Sequence, residues 1–349
     1  IAYQTNYVII TTWKSNYAFT NKRIHIMAAL IDMSNDRANI SYVGETPWHG
    51  LGSKLSPKSP LEVWLKESGM GWEAKKSPIM FRDCDGGEHY GDSQIIYRSD
   101  TKAQLGVCSN RYQIVQPAEV LEFYRDLVGT QDWDIEVAGC LDGGKRLWAL
   151  AKTDGEFNVN GTIDKIGTYL LLATSFDGSM ATVGKFTSVR VVCNNTLQMS
   201  LSSGEAQVSI SHSTKFNPVA MKEKLGIYAN ATSKMQDEVN ELAKYRMKDS
   251  EAMKFIVEVL EGKNVDVDNM TTRGANIIKN VFDLYRGRGM GSTLVSSDGT
   301  LWGVVNSLTE YVDHHVNSRS DNNRLRSAWF GGGNETKNTA YNNALKLVA

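Results

Sequence analysis

Short turns built on Asp-Gly and related pairs punctuate the first two-thirds of this chain, and their spacing limits the topologies open to it. Asp85-Gly86-Gly87, Ser99-Asp100, Asp142-Gly143-Gly144 and Asp177-Gly178 each separate two strand-like runs. Asp and Gly accept the positive φ of tight turns, and a tight turn joins antiparallel neighbours. A parallel pair needs a crossover of a dozen or more residues. The expected class is therefore α+β with an antiparallel sheet, not a doubly wound parallel sheet. Strands are expected over 75–81, 94–98, 104–108, 134–141, 145–152, 168–176, 185–193 and 207–211.

Helices fill the gaps. Ser59-Pro60-Leu61-Glu62 reads as a capping box with Pro at the first helical position. Leu61, Trp64 and Leu65 follow as one apolar face, and Gly69 ends that helix. A second helix runs from Pro117 to Val128, turns Val120, Phe123 and Leu127 inward and stops at Gly129. The N-terminal half thus contains a helix-βββ-helix order. From Asn217-Pro218 the pattern becomes helical. Leu225, Tyr228, Thr232, Met235, Val239 and Leu242 alternate three and four apart, the stripe of one long amphipathic helix. Further helices fit 250–261, 272–286, 300–316 and 335–348, with flexible loops at 287–299 and 331–333. The expected units are 1–39, a non-native or disordered extension; 40–212, an α/β domain; and 213–349, a helical domain.

Composition narrows the function classes. The chain has 349 residues, 41% hydrophobic and 22% charged, with a formal net charge of −1. Such a chain is neither a disordered tail nor a collagenous repeat. Near-zero charge gives no global polyanion-binding signature, so nucleic-acid binding must rest on a local patch. Residues 1–26 hold Lys14, Lys22 and Arg23 and no acid, which fits an upstream read-through ahead of Met27 or Met33. Cys84, Cys108, Cys140 and Cys193 lie far apart in apolar strand-like runs. They read as buried free thiols in a reducing cytoplasm, with no structural zinc. No stretch is long and apolar enough for a membrane span. No metal, cofactor or catalytic residue is assigned.

Chemistry-bearing motifs are few. Walker, zincin and nucleophile-elbow strings are missing from the sequence. Gly287-x-Gly289-x-Gly291 follows a helix rather than a strand and reads as a loop. Asp313-His314-His315 sits on a helix, where adjacent side chains point about 100° apart and form no ready chelate; a capping or interhelical role fits better. Basic and aromatic residues interleave in the α/β half, at Arg82, Arg98, Lys102, Arg111, Tyr112, Arg146, Lys185 and Arg190. Single-stranded nucleic-acid binders need that mixture, cations for phosphates and flat rings for bases. A second set, Trp48, His49, Asp177, Ser179, Cys193, Asn194, Asn195 and His212, is polar and contains a nucleophile–base combination in Cys193 and His212.

Several strings occur together and in order: Pro47-Trp48-His49-Gly50-Leu51-Gly52, Asn110-Arg111-Tyr112-Gln113-Ile114-Val115-Gln116-Pro117, Phe176-Asp177-Gly178-Ser179, Arg190-Val191-Val192-Cys193-Asn194-Asn195-Thr196-Leu197, Trp302-Gly303 and Thr309-Glu310-Tyr311-Val312-Asp313-His314. Over residues 40–348 the chain resembles the phage/plasmid-like family catalogued as domain of unknown function 932. The resemblance implies a gene of phage, prophage or plasmid origin and no particular chemistry. A typical member has His where this chain has Phe176. The helix-βββ-helix order is also similar to the core of phage single-strand-annealing recombinases, in which a curved sheet lines a basic groove. Three readings remain open: single-stranded DNA binding in replication or recombination; a hydrolase-like enzyme of mobile elements around Cys193 and His212; and a structural protein forming a homo-oligomer through the 225–242 stripe.

Overall fold

The computed structural model describes residues 37–44, 52–131, 133–190, 195–198, 207–226, 231–262, 270–318 and 321–349. Its main sheet grows from hairpins. Strands β1 (Ile40–Tyr42), β2 (Ser53–Lys54), β6 (Asp134–Leu141), β7 (Arg146–Asn158), β8 (Lys165–Ser175), β9 (Thr182–Arg190) and β10 (Asn195–Gln198) lie in the order β10-β9-β8-β7-β6-β1-β2. A further strand, β11 (Val208–Ile210), also pairs with β9. All these pairs are antiparallel except β1 with β2. A second sheet holds β3 (Ala74–Arg82), β4 (Glu88–Arg98) and β5 (Gln104–Ser109), also antiparallel.

Strand β8 is buried along almost its whole length. Leu170 and Leu172 join the principal core, while Tyr169 and Leu171 join a separate cluster with Leu150, Trp148, Trp329 and Phe330. Both faces of the sheet are covered there, so the strand reads as a continuous apolar run instead of alternating. On one face lies α2 (Pro117–Gln131), whose buried Tyr124 donates to Ala149 O at 2.8 Å. Ala149 and Ala151, small residues on β7, belong to the same core.

The helix α1 (Leu61–Glu67) packs against α2. Its expected capping box does not form. Pro60 is the N-cap, in extended geometry without a side-chain cap, and the Ser59 hydroxyl donates to Ser56 O instead. Gly129 lies inside α2, not beyond it. After β11 the described elements are helical: α3 (Pro218–Gly226), α4 (Ala231–Lys244), α5 (Asp249–Glu261), α6 (Thr272–Asp283), α7 (Leu301–Glu310), α8 (Asp321–Phe330) and α9 (Gly332–Val348). The expected single long helix is thus described as α3 and α4, with 227–230 outside the described residues.

The heptad-like stripe is spent inside the chain. Leu225, Met235, Val239 and Leu242 are all buried in the principal core, together with Phe157 and Val159 from the sheet side and Trp302 from α7. Burial of each such side chain is worth about 1.5–3 kcal/mol, so the stripe is held by its own chain and not offered to another copy. The loop at 287–299 is a run of turns pinned by a buried carboxylate: Met290 N donates to both oxygens of Glu310, at 3.2 and 3.0 Å. Residues expected as loop at 331–333 instead lead into α9, and α8 precedes them. Cys108 and Cys140 are buried, but Cys84 is exposed, because it falls in the β3–β4 turn and not on a strand. No helix among the described residues is long and apolar enough to cross a membrane.

Candidate nucleic-acid interface

The turn between β8 and β9 is where the two sheets meet. Asp177 Oδ1 accepts from Ser179 N at 3.0 Å, and Gly178 takes a φ of 72° to close the turn. On β5, Gly106 lies directly beneath: a Cβ there would come within 2.4 Å of Phe176 O, so only glycine permits this approach. Phe176 is buried against Trp72, with ring centroids 5.5 Å apart.

Arg146, at the start of β7, locks the turn in place. Its guanidinium donates to Asp142 Oδ2 at 2.5 Å, to Asp177 Oδ2 at 2.9 Å, and to Ser179 Oγ at 3.1 and 2.9 Å. Burial works to raise the Asp177 carboxyl, but hydrogen bonds from Ser179 and the charge of Arg146 outweigh it and hold the group below its ordinary value. Arg98 is similarly committed. It is buried, stacks on Trp72 at 4.6 Å, grips Asp100 with two donors and donates to Gly143 O at 3.2 Å. It borders a cavity of about 380 Å³ with Arg37, Lys66, Glu62 and Asp100, but its guanidinium is already spent. Lys185 is buried on β9, where it donates to Trp329 O at 2.7 Å and lies over the Phe330 ring. Burial, with Lys337 nearby, pulls its amine down to about 7.

These three cations were expected on a nucleic-acid surface. The structure places Arg98, Arg146 and Lys185 inside, because each carries a carboxylate, carbonyl or aromatic partner that sequence spacing does not reveal. Arg82 is exposed and paired with Glu88 at 2.8 Å. Lys102 is exposed at the far end of β5 and donates to Ser99 O. Arg190 lies on β9 opposite Asn195 of β10; only their backbone register is described. Trp48, His49, Cys193 and Asn194 lie outside the described residues.

Two predicted residues do come together just below the surface, Tyr112 half-buried and His212 buried. The rings of Tyr112 and His212 stack at 4.4 Å with a 14° tilt. Gln113 N donates to His212 O at 2.5 Å, fastening the loop after β5 to the segment after β11. Tyr112 OH donates to Ser175 O at 2.6 Å, tying the pair to the locked turn. The two nitrogens of His212 face Gln113 O and Met180 O, at 3.1 and 3.2 Å. Burial holds this imidazole below its usual value despite those carbonyls. The neutral ring donates to only one of them. With both nitrogens engaged, His212 is poorly placed as the base of a nucleophile.

Near this stacked pair the expected Arg111 is joined by cations outside the predicted set. The Lys76 amine donates to Tyr112 O. Lys222 lies 5.4 Å over the Phe123 ring, and Phe123 in turn packs 6.4 Å from Phe216, next to Lys215. Arg111, Lys215 and Lys224 are exposed, and none forms an ion pair among the described residues. The signal was present in the sequence as two carboxylate-free runs, 101–118 and 206–222. Only the fold shows that they adjoin. Two carboxylates at the margin are engaged, Asp177 with Arg146 and Glu119 with Gln116 N at 2.7 Å.

No group of three or more His, Cys, Asp or Glu among the described residues is placed to hold a metal. Asp313 instead forms a buried ion pair with Lys337 at 2.7 Å. Residues 104–329 match the model of a family described as a domain of unknown function (DUF932), and the chain belongs to that family. No curated protein and no solved structure matches the chain.

Proposed function

We propose that the chain binds single-stranded nucleic acid through the face centred on the Tyr112–His212 stack. The observation that carries this reading is the pairing of two carboxylate-free runs around the half-buried Tyr112 ring, which is backed by the buried His212, with Arg111 and Lys215 exposed and in no ion pair among the described residues. Phosphates are held by charge, and bases stack on rings without sequence readout. Duplex DNA keeps its bases stacked on each other, so any base contact at the half-buried Tyr112 ring favours a single strand. The order α1, β3–β5, α2 supports a helix-βββ-helix core of the annealing type, which is where a role in replication or recombination comes from in this reading. Arg98, Arg146 and Lys185 do not belong to the binding face in this reading; they hold the scaffold.

Fluorescence anisotropy with a labelled oligonucleotide tests it. Arg111→Glu with Lys215→Glu lowers affinity about tenfold or more at low salt, from the loss of two phosphate contacts and their reversal in sign. Lys254→Glu, on α5, leaves affinity within about twofold. Equal affinity of the double variant and the parent protein would remove this face from consideration.

A further inference from the structure

The β3–β4 hairpin outruns its sheet. Strand β5 pairs with β4 only from Ser93 to Tyr97, while β3 and β4 continue to pair out to Arg82 and Glu88. Beyond Ser93 the hairpin is a two-stranded arm. Both of its faces are exposed: Met80 and Phe81 are each 54% exposed and Tyr90 is 73% exposed. A two-stranded ribbon is marginal in water, and three large apolar side chains along one arm form an adhesive patch.

Charge identifies what the arm fits. Toward the tip, between Pro78 and Tyr90, there are three carboxylates, Asp83, Asp85 and Glu88, against Arg82 alone. Asp83 binds His89 at 2.6 Å and Glu88 binds Arg82, which leaves Asp85 exposed at the tip. A polyanion is repelled by such a tip. The base of the same arm has the opposite sign. Ser93 pairs with Ser109, so the arm springs from the place where the loop holding Arg111 begins. That loop is fastened to the segment carrying Lys215, Lys222 and Lys224, where Val219 is 60% exposed. Tip and base are therefore two ends of one ribbon, roughly 17 Å apart at about 3.3 Å per residue, one acidic and apolar, the other basic and apolar.

A ribbon with unlike ends is complementary to itself when reversed. We infer that two copies of this chain associate with their arms antiparallel about a two-fold axis, each acidic arm tip seated on the basic base of the other. A two-fold pairing satisfies both ends at once and closes, leaving no open surface for further growth. The arm cannot reach its own base, because strand pairing holds it extended. This inference does not depend on nucleic-acid binding. The two share Arg111 and Lys215, so where both hold, a bound strand and a second copy exclude one another.

Light scattering on the eluting full chain, without nucleic acid, tests the pairing through exchange of charges. The parent protein runs at twice the 38.7 kDa chain mass at low salt and shifts toward the monomer as salt rises. Asp85→Lys with Glu88→Lys is monomeric, because like charges now meet. Arg111→Glu with Lys215→Glu is monomeric for the same reason. An equimolar mixture of the two variants returns to the dimer mass, since each reversed tip meets a reversed base. That recovery also shows that both variants fold. A parent protein that stays monomeric at about 100 µM and low salt overturns the inference. So does a dimer that neither variant disturbs, which places the interface elsewhere, and so does a mixture that remains monomeric.

Discussion

Arg146 illustrates how a residue that reads as a ligand-binding cation becomes structural. It holds two carboxylates and a hydroxyl from different turns, with its side chain only 9% exposed. Removing it leaves Asp142 and Asp177 facing each other without compensation. Arg146→Met is expected to cost about 1.5–3 kcal/mol in urea unfolding at pH 7, the range for hydrogen bonds to charged groups. The pH sign follows from Asp177. Its folded value lies below the ordinary 3.8, so its contribution is present above that value and lost as pH falls through the folded one. The penalty of Arg146→Met should therefore shrink as the solution is acidified below about pH 4; a penalty constant with pH contradicts the assignment. Lys185 behaves in the opposite sense. Its amine, about 7 in the folded state against 10.5 outside it, is charged against the cost of burial at low pH. The unfolded chain binds more protons between those values, so stability rises with pH across that window. Lys185→Met should gain stability relative to the parent at pH 7, with the gain shrinking by pH 9. Lys337 on α9 lies near it and is itself paired with Asp313, and that ion pair stays in place in the variant. None of this was readable from the chain, because burial of a Lys or Arg depends on which partners the fold brings to it, Asp177 for Arg146 and Trp329 for Lys185.

Elements were more legible than residues. The Asp-Gly turns foretold antiparallel pairing, and the strand from Asp134 to Leu141 falls where alternation and turn chemistry place it. What escaped was short or contextual: β1, β2 and β10 are two to four residues long and carry no periodic signal. The stripe from Leu225 to Leu242 was visible as an amphipathic surface, but periodicity cannot say whether its partner is the same chain. Packing answers that: Leu242 is fully buried in the principal core. Leu242→Ala is expected to cost about 2–5 kcal/mol, transfer plus cavity, measured by denaturant unfolding. Its mass in light scattering should match the parent's. A change in mass without loss of stability would restore the stripe as an oligomer surface.

At the scale of the whole molecule, a net charge of −1 conceals two local fields. Carboxylates cluster at the arm tip, and cations without carboxylates gather around Tyr112 and His212. The sequence contains both runs, yet their neighbourhood depends on β11 returning to β9 and on Gln113 meeting His212. The central claim is that this basic face binds a single strand by charge and stacking. Its most direct test is the dissociation constant of the full chain for labelled single- and double-stranded DNA at two salt concentrations. The account predicts preference for the single strand and an affinity that falls with salt, with a log–log slope of roughly −1.5 to −3 if two to four phosphates are neutralised at about 0.7 each. No binding to the single strand at the lower salt would contradict it, as would an affinity that salt does not change.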